Sequence, residues 1–154
     1  MPVDACAPPA NVRPFSHPIR VYWEDTDAGG VVYHASYLRF LERARTEGLR
    51  SLGVSQQALR KDEDRIFVVH AMQIDFRAPA RLDDLLEVHS RIADLGHASL
   101  VFSQRIMRPA DTRVLVEAQV RVACLSASSF RPRGLPEPLR LRFAQFLHSL
   151  ANET

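Results

Sequence analysis

Arg20 to Gly53 reads RVYWEDTDAGGVVYHASYLRFLERARTEGLRSLG, and this stretch decides how the rest of the chain is read. It opens as an alternation. Ile19, Val21 and Trp23 take one side and Arg20, Tyr22 and Glu24 the other, which is the period of a half-buried strand. The alternation breaks at Glu24, Asp25 and Asp27, and Ala28-Gly29-Gly30 follow. From about Ser36 to Leu52, Tyr37, Leu38, Phe40, Leu41, Ala44, Leu49 and Leu52 then recur at helical spacing. Glu42, Arg43, Arg45 and Glu47 fill the other side, and Gly53 supplies a residue that tolerates the left-handed helix stop. Carboxylates and a histidine, His34, therefore stand at the mouth of a long helix with an apolar face.

Strand patterns dominate beyond Gly53. RIFVVHAMQIDFRAP is long, β-branched and aromatic. In LLEVHSRIADL, Leu86, Val88, Ser90 and Ile92 share one face. ASLVFSQRIMR follows a turn at Gly96, and in RVLVEAQVRVACL the residues Val114, Val116, Ala118, Val120, Val122 and Cys124 share a face. Turns this short join antiparallel strands, not the crossovers of a parallel sheet. SSFRPRGLPEP reads as a loop. Leu139, Phe143, Phe146, Leu147 and Leu150 then mark an amphipathic C-terminal helix. An antiparallel sheet must cover its apolar face, and the one long helix available lies before it. The reading is α+β: an antiparallel sheet curled around a central helix.

Composition fits this. The chain has 154 residues, 46% hydrophobic and 25% charged, which suits one soluble domain. No apolar run approaches the ~18 residues of a membrane span. The N-terminal stretch has an early acid and several prolines with no apolar core, so it does not read as a secretory signal. Residues 1–17 read as a flexible arm, 18–136 as the folded domain, and 137–154 as the C-terminal helix and tail. Cys6 and Cys124 fit neither a metal spacing nor a disulfide framework and read as free thiols in a reducing cytoplasm. A net charge of +2 is too small to argue for nucleic acid. Of the 20 basic residues only Lys61 is lysine. Arginine suits phosphate forks, and a coding bias toward arginine gives the same pattern.

The helix mouth carries the chemistry. Glycines let a ligand approach the main chain closely. A helix start presents unpaired N–H groups and a partial positive charge, which polarise a carbonyl or hold an anion. A carboxylate, aimed N–H donors and an imidazole in one volume make a nucleophile or base beside an oxyanion-stabilising group. The plainer reading of the same residues is acids that complement a helix dipole and Ser36 as a cap. His70, His89 and His97 sit in strand patterns and have no carboxylate at metal-ligand spacing, so no metal site is expected. GxSxG, Walker, GxGxxG and HExxH patterns are absent, which argues against the serine-hydrolase, nucleotide and zinc-protease classes.

VYWEDTDAGGVVYHASYLRFLERARTEGLRSLG closely resembles the start of the hotdog-fold acyl-CoA thioesterases of the 4-hydroxybenzoyl-CoA thioesterase type. It is most similar to their Tol-Pal-associated (YbgC-like) branch. The likeness continues through FVVHAMQIDFRAPARLDDLLEV, SLVFSQRI and RPRGLP, covering about Pro18 to Pro136. It implies the hotdog fold, a homodimer or tetramer, and a site at the subunit interface near the start of the central helix. It places the catalytic acid on Asp27 and the oxyanion N–H on His34, whose imidazole contributes in this branch. Gly30 and Tyr33, in the same segment, are expected to bind the substrate. The edge of Phe67, Val68 and Val69 is expected to hold the pantetheine arm through main chain, and Arg131 and Arg133 the phosphates. Some relatives carry several basic residues at the turn where this chain has Leu95-Gly96-His97.

The activity so implied is hydrolysis of an acyl-CoA thioester to free acid and coenzyme A. Asp27 attacks the carbonyl to form a mixed anhydride, or activates water as a general base. No cofactor is expected, because coenzyme A is part of the substrate. A hotdog dehydratase or hydratase would need an Asp-His or His-Glu pair placed on the long helix, and none is found there. The remaining alternative is a binding module for acyl thioesters or acyl carrier protein, linked to the cell envelope. A cytoplasmic location, with a peripheral role at the inner membrane as a variant, accompanies both readings.

Overall fold

A computed structural model of the chain describes residues 15–148, with side chains through residue 144. The elements in order are β1 (Phe15–Arg20), a 3-10 turn (Trp23–Asp25), α1 (His34–Ser51), α2 (Gln56–Asp62), β2 (Arg65–Phe76), β3 (Leu85–Leu95), β4 (Ser99–Arg108), β5 (Arg113–Ser126) and α3 (Glu137–His148). All strand pairings are antiparallel, and the sheet order is β1-β3-β4-β5-β2.

The alternation in β3, β4 and β5 becomes one buried face. Leu86, Val88 and Ile92 meet Leu100, Phe102 and Ile106, and then Val116, Ala118, Val120 and Val122, in a single cluster with Tyr37, Phe40, Leu41, Ala44 and Leu49 of α1. The central helix thus lies in the concave side of the sheet. It ends as Gly53 foretells. Gly53 has φ +78°, its N–H reaches Arg50 O at 2.9 Å, and Val54 N–H reaches Leu49 O at 3.0 Å. Those two bonds, with Val54 and Leu49 both buried, make a Schellman stop.

Three boundaries differ from the sequence reading. β1 begins at Phe15, so residues 15–17 belong to the sheet, where they pair with Ser90, His89 and Val88. Residues 1–14, with the rest of the expected arm and Cys6, lie outside the described residues. Trp23 is 80% exposed and sits in the 3-10 turn, because the chain leaves the sheet at Arg20 to form the loop before α1. The turn of α2 escaped the strand-and-helix pattern. It is short, and its N-cap, Ser55, accepts the Ala58 N–H at 3.2 Å.

α3 belongs to the same core. Phe143 is fully buried against Phe67, with ring centroids 6.3 Å apart, and Leu139 and Leu135 are buried beside it. Arg142 donates to Leu52 O at the end of α1, and Arg140 to Gly96 O and His97 O. Residues 149–154, including Leu150, lie outside the described residues. Phe143→Ala is expected to lower unfolding free energy by about 3–5 kcal/mol, the usual cost of emptying a buried aromatic site. Denaturant unfolding measures it, and a loss under about 1 kcal/mol would show α3 to be a passive appendage.

Candidate active site

The loop before α1 is a small hairpin. Tyr33 N–H donates to Asp25 O at 2.8 Å, Thr26 bridges Val32, and Asp27 N–H donates to Val31 O at 2.9 Å. This ladder sets Asp25 opposite Tyr33 at the helix start and holds Asp27 one rung beyond the bridge, toward the tip. The tip closes with Gly30, whose φ of +78° is open to glycine and strained for other residues. A Cβ added at Gly30 would touch nothing within 4 Å, so the space over the tip is clear. Asp27 is exposed, and its Oδ1 accepts the Gly29 N–H at 2.8 Å. That turn fixes the carboxylate and leaves Oδ2 without a hydrogen bond among the described residues.

Asp25 has a different part. It is buried, and its Oδ2 accepts the Tyr22 N–H at 2.8 Å across the 3-10 turn. The three acids that look alike in sequence thus divide into a buried brace, Asp25, and two exposed carboxylates, Glu24 and Asp27.

His34 is the first residue of α1 and is exposed. Its ring leans on Tyr33, with centroids 4.5 Å apart, and meets Phe76 edge-on at 6.4 Å. The N-cap is Tyr33, which offers no capping side chain, and the first turn of α1 contains no acid. Ser36, the cap candidate, is buried inside the helix and accepts from Arg39. The Ser36 N–H turns back to Tyr33 O at 2.8 Å, so it is the His34 and Ala35 N–H groups that keep their donor capacity, with the positive helix end, for something outside the helix.

What holds this mouth in place is RAPARLDD, between β2 and β3. Val32 N–H donates to Ala80 O at 2.9 Å, and Ala80 N–H donates to Tyr37 Oη at 2.9 Å. Val21 N–H donates to Asp84 O, and Asp83 N–H returns to Val21 O, both at 3.0 Å. Arg108 from β4 ties the bracket down through Asp84 at 3.0 Å. Burial pushes the Tyr37 phenol pKa up, so the hydroxyl stays neutral while it accepts the Ala80 N–H. Tyr37 and Arg108 have no mark in the sequence that sets them apart from any core tyrosine or surface arginine.

The remaining site candidates lie elsewhere. Phe67, Val68 and Val69 are near the start of β2, whereas Phe76, which touches His34, is at its end. Seven to nine residues of strand separate them, roughly 23–30 Å at ~3.3 Å per residue. Arg131 and Arg133 belong to the Phe67 end, in the loop after β5, where Leu125 bridges Pro132. Arg131 is exposed, whereas Arg133 pairs with Asp64 at 3.0 Å. Asp64 also takes the Ser126 hydroxyl and the Ser128 hydroxyl and N–H, and these, with Arg133, hold its carboxyl below the usual range. Arg133 thus already has a structural partner that the RPRG motif does not reveal. One protomer carries Asp27, Gly30, Tyr33 and His34 on one hairpin-to-helix segment and leaves the Phe67–Val69 end of β2 and the RPRG loop at its far end.

Residues 29–122 match the thioesterase superfamily model, which is most of the described fold. The chain belongs to the thioesterase superfamily. It is 51% identical over 135 residues to a protein of Escherichia coli O157:H7 named acyl-CoA thioester hydrolase YbgC, covering 88% of this chain and 99% of that one. It is 47% identical over 129 residues to the acyl-CoA thioesterase YbgC of Haemophilus influenzae, covering 84% and 93%. Among solved structures, a 1,4-dihydroxy-2-naphthoyl-CoA thioesterase from Synechocystis superposes with a TM-score of 0.79 at 27% identity, over 84% of this chain and 95% of that one. The sheet around its central helix is the hotdog fold of this superfamily. Among the described residues no helix is long and apolar enough to cross a membrane.

The bracket generates a prediction. Tyr37→Phe leaves the buried Ala80 N–H without its acceptor, and an unsatisfied buried donor costs about 1–3 kcal/mol. Denaturant unfolding is expected to show a loss in that range. A change under about 0.5 kcal/mol would mean that Ala80 finds another acceptor.

Proposed function

We propose that this protein is an acyl-CoA thioesterase in which Asp27 supplies the reacting carboxylate and the start of α1 stabilises the oxyanion. The observation that carries the reading is the uncapped, acid-free first turn of α1, preceded by a hairpin whose Asp27 carboxylate is pinned by the Gly29 N–H. A thioester carbonyl set over that turn develops negative charge on its oxygen as the carbon becomes tetrahedral. The His34 N–H and the helix dipole meet that charge. Asp27 either bonds to the carbonyl carbon or takes a proton from a water that does so. Collapse of the adduct expels coenzyme A as thiolate, and water supplies the oxygen of the free acid in both routes. The His34 imidazole, braced by Tyr33 and Phe76, orients the water or the carbonyl.

Asp27→Asn is expected to lower turnover about a hundredfold or more, in keeping with the loss of a general base. Release of free thiol from an acyl-CoA panel measures it, and turnover within about threefold of wild type in folded protein would sink the assignment. His34→Ala keeps the helix start, so it separates imidazole from N–H. A fall of about tenfold to a thousandfold is expected. Unchanged turnover would assign the oxyanion to the main chain alone. A panel with no thiol release at all would turn the reading toward an acyl-thioester binding module.

The working enzyme is an oligomer in this proposal. β2 is a sheet edge of 12 residues, with Val69 and Phe76 exposed along it. Long edges of this kind are paired or covered in natural proteins. Antiparallel pairing of two β2 edges about their middle sets the Phe67–Val69 end and RPRG loop of one protomer beside the Asp27 and His34 mouth of the other. Pantetheine then runs along main chain, and Arg131 reaches toward the phosphates. Light scattering is expected to give a dimer or a multiple of it. A stable monomer active at assay concentration would rule out the shared site.

A further inference from the structure

Under the middle of α1 lies a cleft of about 90 Å³ between the helix and the sheet, walled by Leu49, Phe67, Leu100 and Phe102. Arg45 lines it. Its place on the solvent side of α1, as the spacing of charges suggests, is not where the structure puts it: Arg45 is 8% exposed. Among the described residues it has no ion pair, and its one hydrogen bond runs from Nη1 to Gln104 Oε1 at 2.9 Å. Gln104 is itself buried, and its amide is fixed by donating to Leu41 O at 3.0 Å and Ser90 Oγ at 2.8 Å. The oxygen of Gln104 must therefore point at Arg45.

A guanidinium carries five N–H donors, and one is in use here. No enclosed side-chain nitrogen lacks a partner among the described residues, so the unused Arg45 donors keep accessible surface, and Arg45 lines this cleft and a smaller one beside Phe15 and Ser90. Burial pushes the Arg45 pKa down, and the nearby Glu42 carboxylate opposes that fall. Glu42 lies at the solvent side of the same cleft, where it is exposed and takes the Thr46 hydroxyl at 3.1 Å, so water screens its charge more than that of the buried Arg45. A buried cation held by a neutral amide does little for folding, since apolar replacements of buried charges are commonly tolerated. It is well built to receive a planar anion on its fork.

We propose that this cleft receives the far end of the acyl group and that Arg45 selects acyl groups ending in a carboxylate. The inference rests on the thioesterase reading above. Arg45 lies 11 residues along α1 from His34, about 16 Å of helix. The cleft also shares Phe67 and Val69 with the β2 edge that the proposed dimer sets beside the partner's mouth. Along α1 the reacting carbonyl and Arg45 are thus an acyl chain's length apart. A methyl-ended tail would strip water from the free guanidinium donors and give nothing back, whereas a carboxylate pairs with them.

The test is kcat/KM for coenzyme A thioesters matched in length, one of each pair ending in methyl and the other in carboxylate. Wild type is expected to favour the carboxylate at one length or more by about tenfold or above, the kind of ratio a hydrogen-bonding subsite imposes. Arg45→Met is expected to reverse the preference. Arg45→Lys, which keeps charge and loses the fork, should retain part of it and serves if Arg45→Met does not fold. A ratio near one at every length, or one unchanged in both variants, would overturn the proposal. If no thioester is cleaved, the thioesterase reading fails, and titration of free α,ω-dicarboxylic and monocarboxylic acids judges the subsite alone. Tighter binding of the diacid, lost with Arg45, supports it; equal binding overturns it.

Discussion

Ala80 accepts a hydrogen bond from Val32 and donates one to Tyr37, and the geometry of the helix mouth depends on that pair. Val32 closes the Asp27 hairpin, and Tyr37 is on the first full turn of α1. One residue of the β2–β3 connection thus binds the acid's loop to the helix that follows it. Both bonds are buried, so breaking either exposes an unsatisfied group at a cost well above the net worth of a surface contact. Asp84, Val21 and Arg108 extend the same bracket to β1 and β4. The consequence is a polar, glycine-tipped loop held as firmly as a piece of core.

That firmness matters because the start of α1 is left uncapped. A helix end without capping side chains is ordinarily a small loss. Here the loss is concentrated where a rigid hairpin presents a carboxylate, and the two features together suit a charge that appears only during reaction. Preorganised donors of this kind need no rearrangement when the charge forms.

The interior has a second polar device, with different logic. Ser90 and Gln104 occupy inward positions of otherwise apolar strand faces, and they hold Arg45 beneath α1. At the surface, Arg133 and Asp64 tie the RPRG loop to the start of β2 through the Ser126 and Ser128 hydroxyls. Each guanidinium makes one side-chain hydrogen bond among the described residues, but Arg45 is buried against a neutral amide, whereas Arg133 is exposed and paired with a carboxylate.

The sequence by itself determined the long helix, its glycine stop, the antiparallel meander and the acidic, glycine-rich turn that leads from Asp27 into His34. Each is local: periodicity, turn chemistry and helix-end chemistry act over a few residues and leave their mark in order along the chain. Only the tertiary structure decided that Asp25 is a buried brace while Asp27 is exposed, since both are acids in one turn. It also decided that β2 is an edge next to β5, that Arg133 is committed to Asp64, and that Arg45 faces inward. Most of those outcomes come from residues far apart in the chain, as with Arg45 and Gln104, 59 positions apart. Long-range packing, not local preference, chooses which side of a helix or sheet is sealed from water, and with it which charges must find partners inside.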